Sequence, residues 1–429
     1  MQSSYLTAHE TAARLGIKRD TLYAYVSRGL LHSVALPGSR ERGYEAEEVE
    51  RLRSGRGLSR AAKTEMLTPL IESAISLIEG GRLYYCGHDA IRLADTATLE
   101  DIADLLWNSA ATSFDKRPHP AVAAAPATLS RGAGKDKKRR ATKPLSRTAG
   151  EGARGRSPRA GEGKPPTGIV ERCQIRLAEL AAGDLAALDL TPAGVMRTGG
   201  IILDELVGCI GGGAPASAPI HERLAAVWRL DRKGADLIRR CLVLLADHEL
   251  NASTFVARCV ASTGATPYAA IAAALSALSG RRHGGSSAAA EALFREIVER
   301  GDPLAVMAAR LARNEMLPGL GQPLYPDGDP RATALLNAAT AAVPSARPLV
   351  EGTVAAARQL VPQPPNVDFA LAAVATALGL RPGSALAIFV VGRAVGWIAH
   401  AIEQYQSDLL IRPRARYTGP RPEERNAIS

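Results

Sequence analysis

A mainly α-helical fold in two or three domains is predicted by three properties of the sequence. Its 429 residues are enough for that many domains at ~100–200 residues each. Apolar residues make up 46% but aromatics only 4%. The core must therefore be built from Ala, Leu, Val and Ile, of which Ala and Leu favour helix over strand. From Gly168 onward the pattern is helix after helix, with short Gly- or Pro-bearing turns, little strand-type alternation and no fixed-period repeat.

The first fifty-odd residues read as a compact unit, residues 1–56. Thr7-Ala8-His9-Glu10 is a capping box opening a helix with Ala8, Ala12 and Leu15 on one face. Gly16 breaks it. A second helix begins near Lys18-Arg19-Asp20, buries Leu22 and Val26, and ends at Gly29. A turn at Pro37-Gly38, flanked by Arg40 and Arg42, leads to Tyr44 and an acidic helix over 46–53. This order, with Tyr5–Ala8, Ala12–Ile17 and Thr21–Tyr25, resembles the winged helix-turn-helix domain of MerR-type regulators and excisionases. The resemblance implies a DNA partner, with Arg19 and Tyr23 on the groove-reading helix and Arg40 and Arg42 reaching phosphates. The alternative is a small helical cap with no DNA partner, since residues 1–56 carry a net charge of only +2.

The overall charge of +10 invites a nucleic-acid reading, but Arg131–Lys164 alone carries +9, leaving +1 for the rest. Residues 113–167 are low in complexity, Ala/Pro-rich and then Lys/Arg/Gly/Ser-rich, so a disordered basic insertion is expected there. It suits either a DNA-binding arm or a solvated tether. Five scattered cysteines without a CxxC pair argue against a disulfide framework or a metal site and suit a reducing cytoplasm. Charges recur through the first thirty residues, against a signal peptide. The best apolar run, Ala385–Val391, stops at Gly392-Arg393, short of the ~20 residues a membrane span needs. A cytoplasmic protein without a membrane partner is expected.

Several later segments gather polar residues that packing alone would not place there. They are Asp247–Asn251, Arg282–Gly285, Leu317–Arg331, Asn366–Phe369, Gly392–His400 and Arg412–Tyr417. Together with Ile78–Asp89, these seven motifs resemble the citrate synthase family, in the family's order, and only the 113–167 insertion interrupts them. The resemblance implies an acyltransferase that joins the acetyl group of acetyl-CoA to oxaloacetate, giving citrate and CoA. It implies Asp368 as the base that takes a methyl proton and His283 as the donor to the enolate oxygen. Arg331, Arg393 and Arg412 match its carboxylate-binding arginines, and His248 its substrate-binding histidine. Leu317, Pro318, Gly319 and Gly321 fall in its CoA-receiving loop. Acetyl-CoA is a substrate, and no cofactor is implied.

The implied architecture places a large helical domain at 57–112, 168–283 and 369–429 around a smaller helical domain at 284–368. Family members are dimers, so a homodimer is expected, with Arg412 supplied to the neighbouring subunit. Three positions depart from the family pattern: Gln322 stands for the histidine that polarises the ketone, Cys86 for an arginine, and Ser286-Ser287 for Ala-Asn. A glutamine amide donates a hydrogen bond but carries no charge and passes no proton. Three readings follow: a citrate-synthase-type enzyme with altered carbonyl activation, a catalytically weak ligand sensor that moves a DNA reader, and an acyltransferase for another 2-oxo acid.

Overall fold

The structure, a computed structural model, describes residues 5–15, 22, 31, 33–35, 42–46, 49–50, 71–112, 168–211, 217–407, 409–413 and 415. The chain divides into two compact units, residues 1–72 with 413–429, and residues 73–412.

In the first unit, β1 (Tyr5–Thr7), β2 (Ser33–Ala35) and β3 (Arg42–Glu45) form an antiparallel sheet in the order β1-β3-β2, with Leu6 opposite Tyr44 and Val34 opposite Gly43. The capping box opens α1 (Ala8–Leu15): Glu10 N–H donates to Thr7 Oγ1 (3.3 Å), and the Glu10 carboxylate accepts from Thr7 N–H (2.8 Å). That reciprocal pair holds the Glu10 carboxyl below its ordinary value. Ala12, Leu22, Leu31, Tyr44 and Val49 form the core, and Arg14 pairs with Glu50 at 2.7 Å. Arg42 is exposed and donates to Ser33 Oγ (2.8 Å). Arg19, Tyr23, Arg40, Val26, the Pro37-Gly38 turn and the 113–167 insertion lie outside the described residues.

The second unit opens with β4 (Ser76–Glu79), β5 (Arg82–Tyr85) and β6 (His88–Asp89), an antiparallel sheet in sequence order. Gly80 and Gly81, at φ 57° and 72°, make the two-residue turn, whose twist suits a hairpin. Helices follow: α2 (Ala90–Thr96), α3 (Leu99–Thr112), α4 (Ile169–Gly183), α5 (Pro192–Ile210), α6 (Ile220–Trp228) and α7 (Arg232–Leu245). Then come α8 (Ala252–Ala261), α9 (Pro267–Leu278), α10 (Gly285–Arg300) and α11 (Pro303–Ala312). The last four are α12 (Pro330–Ala342), α13 (Arg347–Leu360), α14 (Val367–Ala377) and α15 (Ser384–Ser407). Asp and Asn caps start many of these helices, including Asp329 on α12 and Asn366 on α14.

Helix α15 continues past the apolar run Ala385–Val391 and through Gly392-Arg393 to Ser407, packed on α3, α5, α7 and α8. By length and composition α15 could cross a membrane, yet 94% of its most apolar window is buried inside the protein. It is the central core helix. Gly396 permits its close approach to the end of α7, donating its N–H to Ala246 O (3.0 Å). A methyl there would lie 2.3 Å from Ala246 O and 2.5 Å from Asp247 Oδ1. Gly396→Ala is therefore expected to cost about 1–3 kcal/mol, seen as a lower thermal midpoint. An unchanged midpoint would mean that α15 has room to shift.

Among the described residues of this unit, two large apolar cores stand beside a small cluster of Ala261, Ala270 and Ala401. The larger one surrounds α15 and contains Trp397, Ile388, Leu242 and Leu206. The smaller joins Leu293, Phe294 and Ile297 of α10 to Phe369, Ala372 and Ala373 of α14, with Val306, Met307 and Val350. Phe294 and Phe369 meet edge to face at 4.9 Å.

Candidate active site

The short segment after α7 carries His248, and the β4–β6 sheet holds it in place. Tyr85 donates to Val243 O (3.0 Å), Ser76 Oγ donates to Asp247 Oδ2 (2.5 Å) and accepts from Glu249 N–H (3.0 Å), and Ile78 N–H donates to Glu249 Oε1 (2.9 Å). His248 is thus fixed and buried, its Nε2 3.1 Å from the Tyr325 hydroxyl. Burial pushes its pKa well below 6.5 and the charges of Arg331 and Arg393 push it further, so the ring is neutral.

Arg331 and Arg393 are both about 98–99% buried, with different surroundings. Asp329 grips Arg331 through two bonds, Nε to Oδ1 at 3.0 Å and Nη2 to Oδ2 at 2.8 Å, and Oδ2 also accepts from Val367 N–H (3.1 Å). Arg393 donates its Nε–H to Leu245 O (2.7 Å) and lies 4.9 Å above the Phe389 ring. Among the described residues no carboxylate is hydrogen-bonded to Arg393. Burial pulls its pKa down to about 10, Asp247 opposes that and Arg331 adds to it, so it remains charged at neutral pH. Asp247 does not neutralise it alone, because that carboxylate is also engaged by Ser76 and by His400 Nε2 (3.3 Å).

His283 and Asp368 stand at two helix starts. His283 precedes α10, with Nε2 2.8 Å from Ser253 Oγ and its ring edge-on to Phe389 at 5.9 Å. Ser253 Oγ accepts from Trp397 Nε1–H (3.1 Å) and lies 2.8 Å from Asn251 Oδ1. Its one proton goes either to Asn251 or to His283. Given to His283 Nε2, it leaves the neutral ring's own proton on Nδ1. Burial, then repulsion by Arg393, lowers the His283 pKa to about 4, so the ring is uncharged at neutral pH. Asp368 lies in the first turn of α14 and accepts from Ser287 Oγ–H (2.5 Å). Burial raises its carboxyl pKa, and the Ser287 and Ser286 hydroxyls and Arg331 pull part of the way back.

The glycine loop is joined directly to this carboxylate's helix. Leu320 pairs with Pro365, Gly321 N–H donates to Pro364 O (2.7 Å), and Asn366 N–H donates to Gly319 O (2.9 Å). Asn366 Nδ2–H donates to Gly321 O (2.9 Å), while its Oδ1 caps α14 by accepting from Asp368 N–H (3.0 Å). Gly319 has φ 78°, and a methyl there would meet Phe369 at 2.8 Å, so only glycine fits. Leu317 is buried and Pro318 half-buried beside it.

Two candidates stand apart from the buried set. Gln322 is half-buried; its main-chain oxygen accepts from Tyr325 N–H (2.9 Å), but its amide Oε1 is 3.5 Å from Leu324 N, too far to hold it firmly. Arg412 is exposed and makes no ion pair with any described residue. Sequence reasoning assigned no role to Ser253, Asp329, Phe389 or Tyr325, and read Ser287 only as a departure. Of these, Asp329 was detectable as the cap of a Pro-Arg helix start.

The family "Citrate synthase, C-terminal domain" matches residues 211–414. In sequence, this segment is similar to the citrate synthase family. Citrate synthase 2 of Bacillus subtilis is 40% identical over 197 residues, 43% of this chain and 51% of that protein. The citrate synthase of Haloferax volcanii is 39% identical over 191 residues, 43% of this chain and 50% of that protein. A 2-methylcitrate synthase of Mycobacterium tuberculosis is 35% identical over 190 residues, 42% of this chain and 47% of that protein. The matched part thus spans about half the length of these relatives. In fold, the citrate synthase of Thermotoga maritima aligns with a TM-score of 0.59 at 24% identity, over 82% of this chain and 94% of that one. The citrate synthase of Thermoplasma acidophilum, solved with carboxymethyl coenzyme A and oxaloacetate, aligns with 0.60 at 22% identity, over 84% and 96%. The fold is mainly helical and citrate synthase-like.

Proposed function

We propose that the protein is a citrate-synthase-type acyltransferase that condenses acetyl-CoA with oxaloacetate and releases citrate and CoA. The observation that carries this reading is Arg393, a buried guanidinium without a carboxylate partner among the described residues, close enough to Arg331 and His248 to influence both. A buried cation of this kind calls for an anionic ligand. A small dicarboxylate suits it, with His248 as a neutral donor. Asp368 removes a proton from the methyl group next to the thioester carbonyl, and His283 donates to the enolate oxygen. The enolate carbon attacks the ketone carbon of oxaloacetate, the ketone oxygen takes a proton, and water then cleaves the thioester. Gln322 supplies a neutral donor at the ketone oxygen. Arg412 is supplied to a partner subunit in a homodimer, and the setting is cytoplasmic. The glycine loop at 317–321 receives CoA.

The second reading, a ligand-sensing DNA-binding regulator, draws on Gln322 and the N-terminal unit. One experiment separates the two: CoA release from acetyl-CoA with and without oxaloacetate, for wild type and Gln322→His. A propionyl-CoA arm tests the acyl preference raised by the likeness to a 2-methylcitrate synthase. In an enzyme with a weak carbonyl donor, histidine should raise turnover up to about tenfold, with little change in oxaloacetate affinity. Rapid wild-type turnover with Gln322→His neutral or harmful would make glutamine the working donor. No CoA release by either protein, with oxaloacetate changing DNA affinity, would overturn the enzyme reading.

A further inference from the structure

We propose that Ser287 is a positioning residue for the proton-abstracting step: its hydroxyl ties the Asp368 carboxylate to α10 and keeps it in the anionic form that accepts a proton. The inference rests on the reading of Asp368 as the base. Ser287 is fully buried, and among the described residues its side-chain hydrogen bond is the 2.5 Å bond to Asp368 Oδ1. It is not needed to join the helices, since Leu293, Phe294 and Ile297 already pack α10 onto Phe369, Ala372 and Ala373 of α14. Nor does the hydroxyl cap its own helix. A buried hydroxyl without a packing or capping duty, aimed at a carboxylate, acts on that carboxylate.

The surroundings make this donor consequential. Asp368 is faced by Ser286 and Ser287 from α10, by Arg331 and Asp329 at the start of α12, and by Arg393 from α15. Asp329 is bonded to Arg331, so those two charges largely offset each other. Burial favours the protonated acid, which cannot abstract a proton. A charge-assisted O–H donor favours the carboxylate and fixes its plane without supplying a competing proton. The family pattern has Asn at this position, whose longer side chain would present an amide N–H instead. Here the shorter serine places an O–H.

Four proteins test the inference: wild type, Ser287→Ala, Ser287→Thr and Asp368→Asn. For Ser287→Ala, kcat should fall about tenfold, KM for oxaloacetate should stay within about twofold, and the acid limb of the rate profile should move to higher pH. Ser287→Thr, which keeps the hydroxyl, should restore all three. Equal thermal midpoints exclude misfolding. A second readout does not depend on turnover: ¹³C-carboxyl NMR of Asp-labelled protein, with the Asp368 resonance assigned by its absence in Asp368→Asn. Its titration midpoint should rise in Ser287→Ala and return in Ser287→Thr. An unmoved midpoint overturns the inference. If wild type releases no CoA, the enzyme reading fails by itself, and the NMR midpoint still decides whether Ser287 holds the Asp368 carboxylate ionised.

Discussion

Asp368→Asn should lower condensation by about 10³-fold while leaving oxaloacetate affinity within about twofold. The asparagine amide is nearly isosteric, and its oxygen can still accept the Ser287 hydroxyl, so the local geometry survives. What it loses is the ability to take a proton. The direct measurement is exchange of the acetyl-CoA methyl protons with deuterated solvent, which reads proton abstraction apart from carbon–carbon bond formation. Stability supplies the control. The Asp368 pKa is raised in the fold, so the ionised form is the disfavoured one. Stability present below the ordinary carboxylate pKa is therefore lost as pH rises through the folded value. Asparagine cannot ionise, so at neutral pH the variant should unfold at no lower a temperature than wild type. Retention of most of the exchange rate would remove Asp368 from the chemistry; loss of rate together with a lower melting temperature would reduce its role to structure.

Legibility in the sequence followed the range of each interaction. The Thr7–Glu10 box and the Asn366 cap span three residues or fewer, so the sequence displays both partners side by side. The Gly80-Gly81 turn was equally local, yet the composition argument for helix left its hairpin unread. Arg393 stood out because a charge interrupts an apolar run, but what it touches did not. Leu245 lies 148 residues away, and the Ser253 partner of His283 is 30 residues away across a helix. The length of α15 was unread for the same reason: Gly392 and Arg393 interrupt the apolar run, and only the fold packs α7 against them. Ser287 shows the opposite failure. Judged against a family pattern it was a departure, and only the fold shows its hydroxyl on the carboxylate.

Arg393→Leu should weaken oxaloacetate binding about 10²-fold, since losing one member of a buried, hydrogen-bonded charge pair costs about 2–5 kcal/mol, and should leave acetyl-CoA affinity within about twofold. Leucine keeps an apolar side chain beside the Phe389 ring, which lies 4.9 Å from the guanidinium. Burial already lowers the Arg393 pKa to about 10, so the fold disfavours its charged form, and that cost is present at neutral pH. Removing the charge relieves it, against the loss of one bond to Leu245 O, so the thermal midpoint at neutral pH should change little. At acid pH the variant should behave differently. Burial raises the Asp247 pKa, but His400, Arg393 and Ser76 outweigh it, so the carboxyl sits below its ordinary value. Its stabilisation is present above the unfolded pKa and is lost as pH falls through the folded one. Without Arg393 the folded value rises, and acid unfolding should begin at a higher pH than in wild type. Calorimetric titration with oxaloacetate and with acetyl-CoA, together with acid melts, reads all three effects. A structural ion pair would produce a large neutral-pH destabilisation and equal losses for both ligands, and that pattern would remove Arg393 from the substrate site.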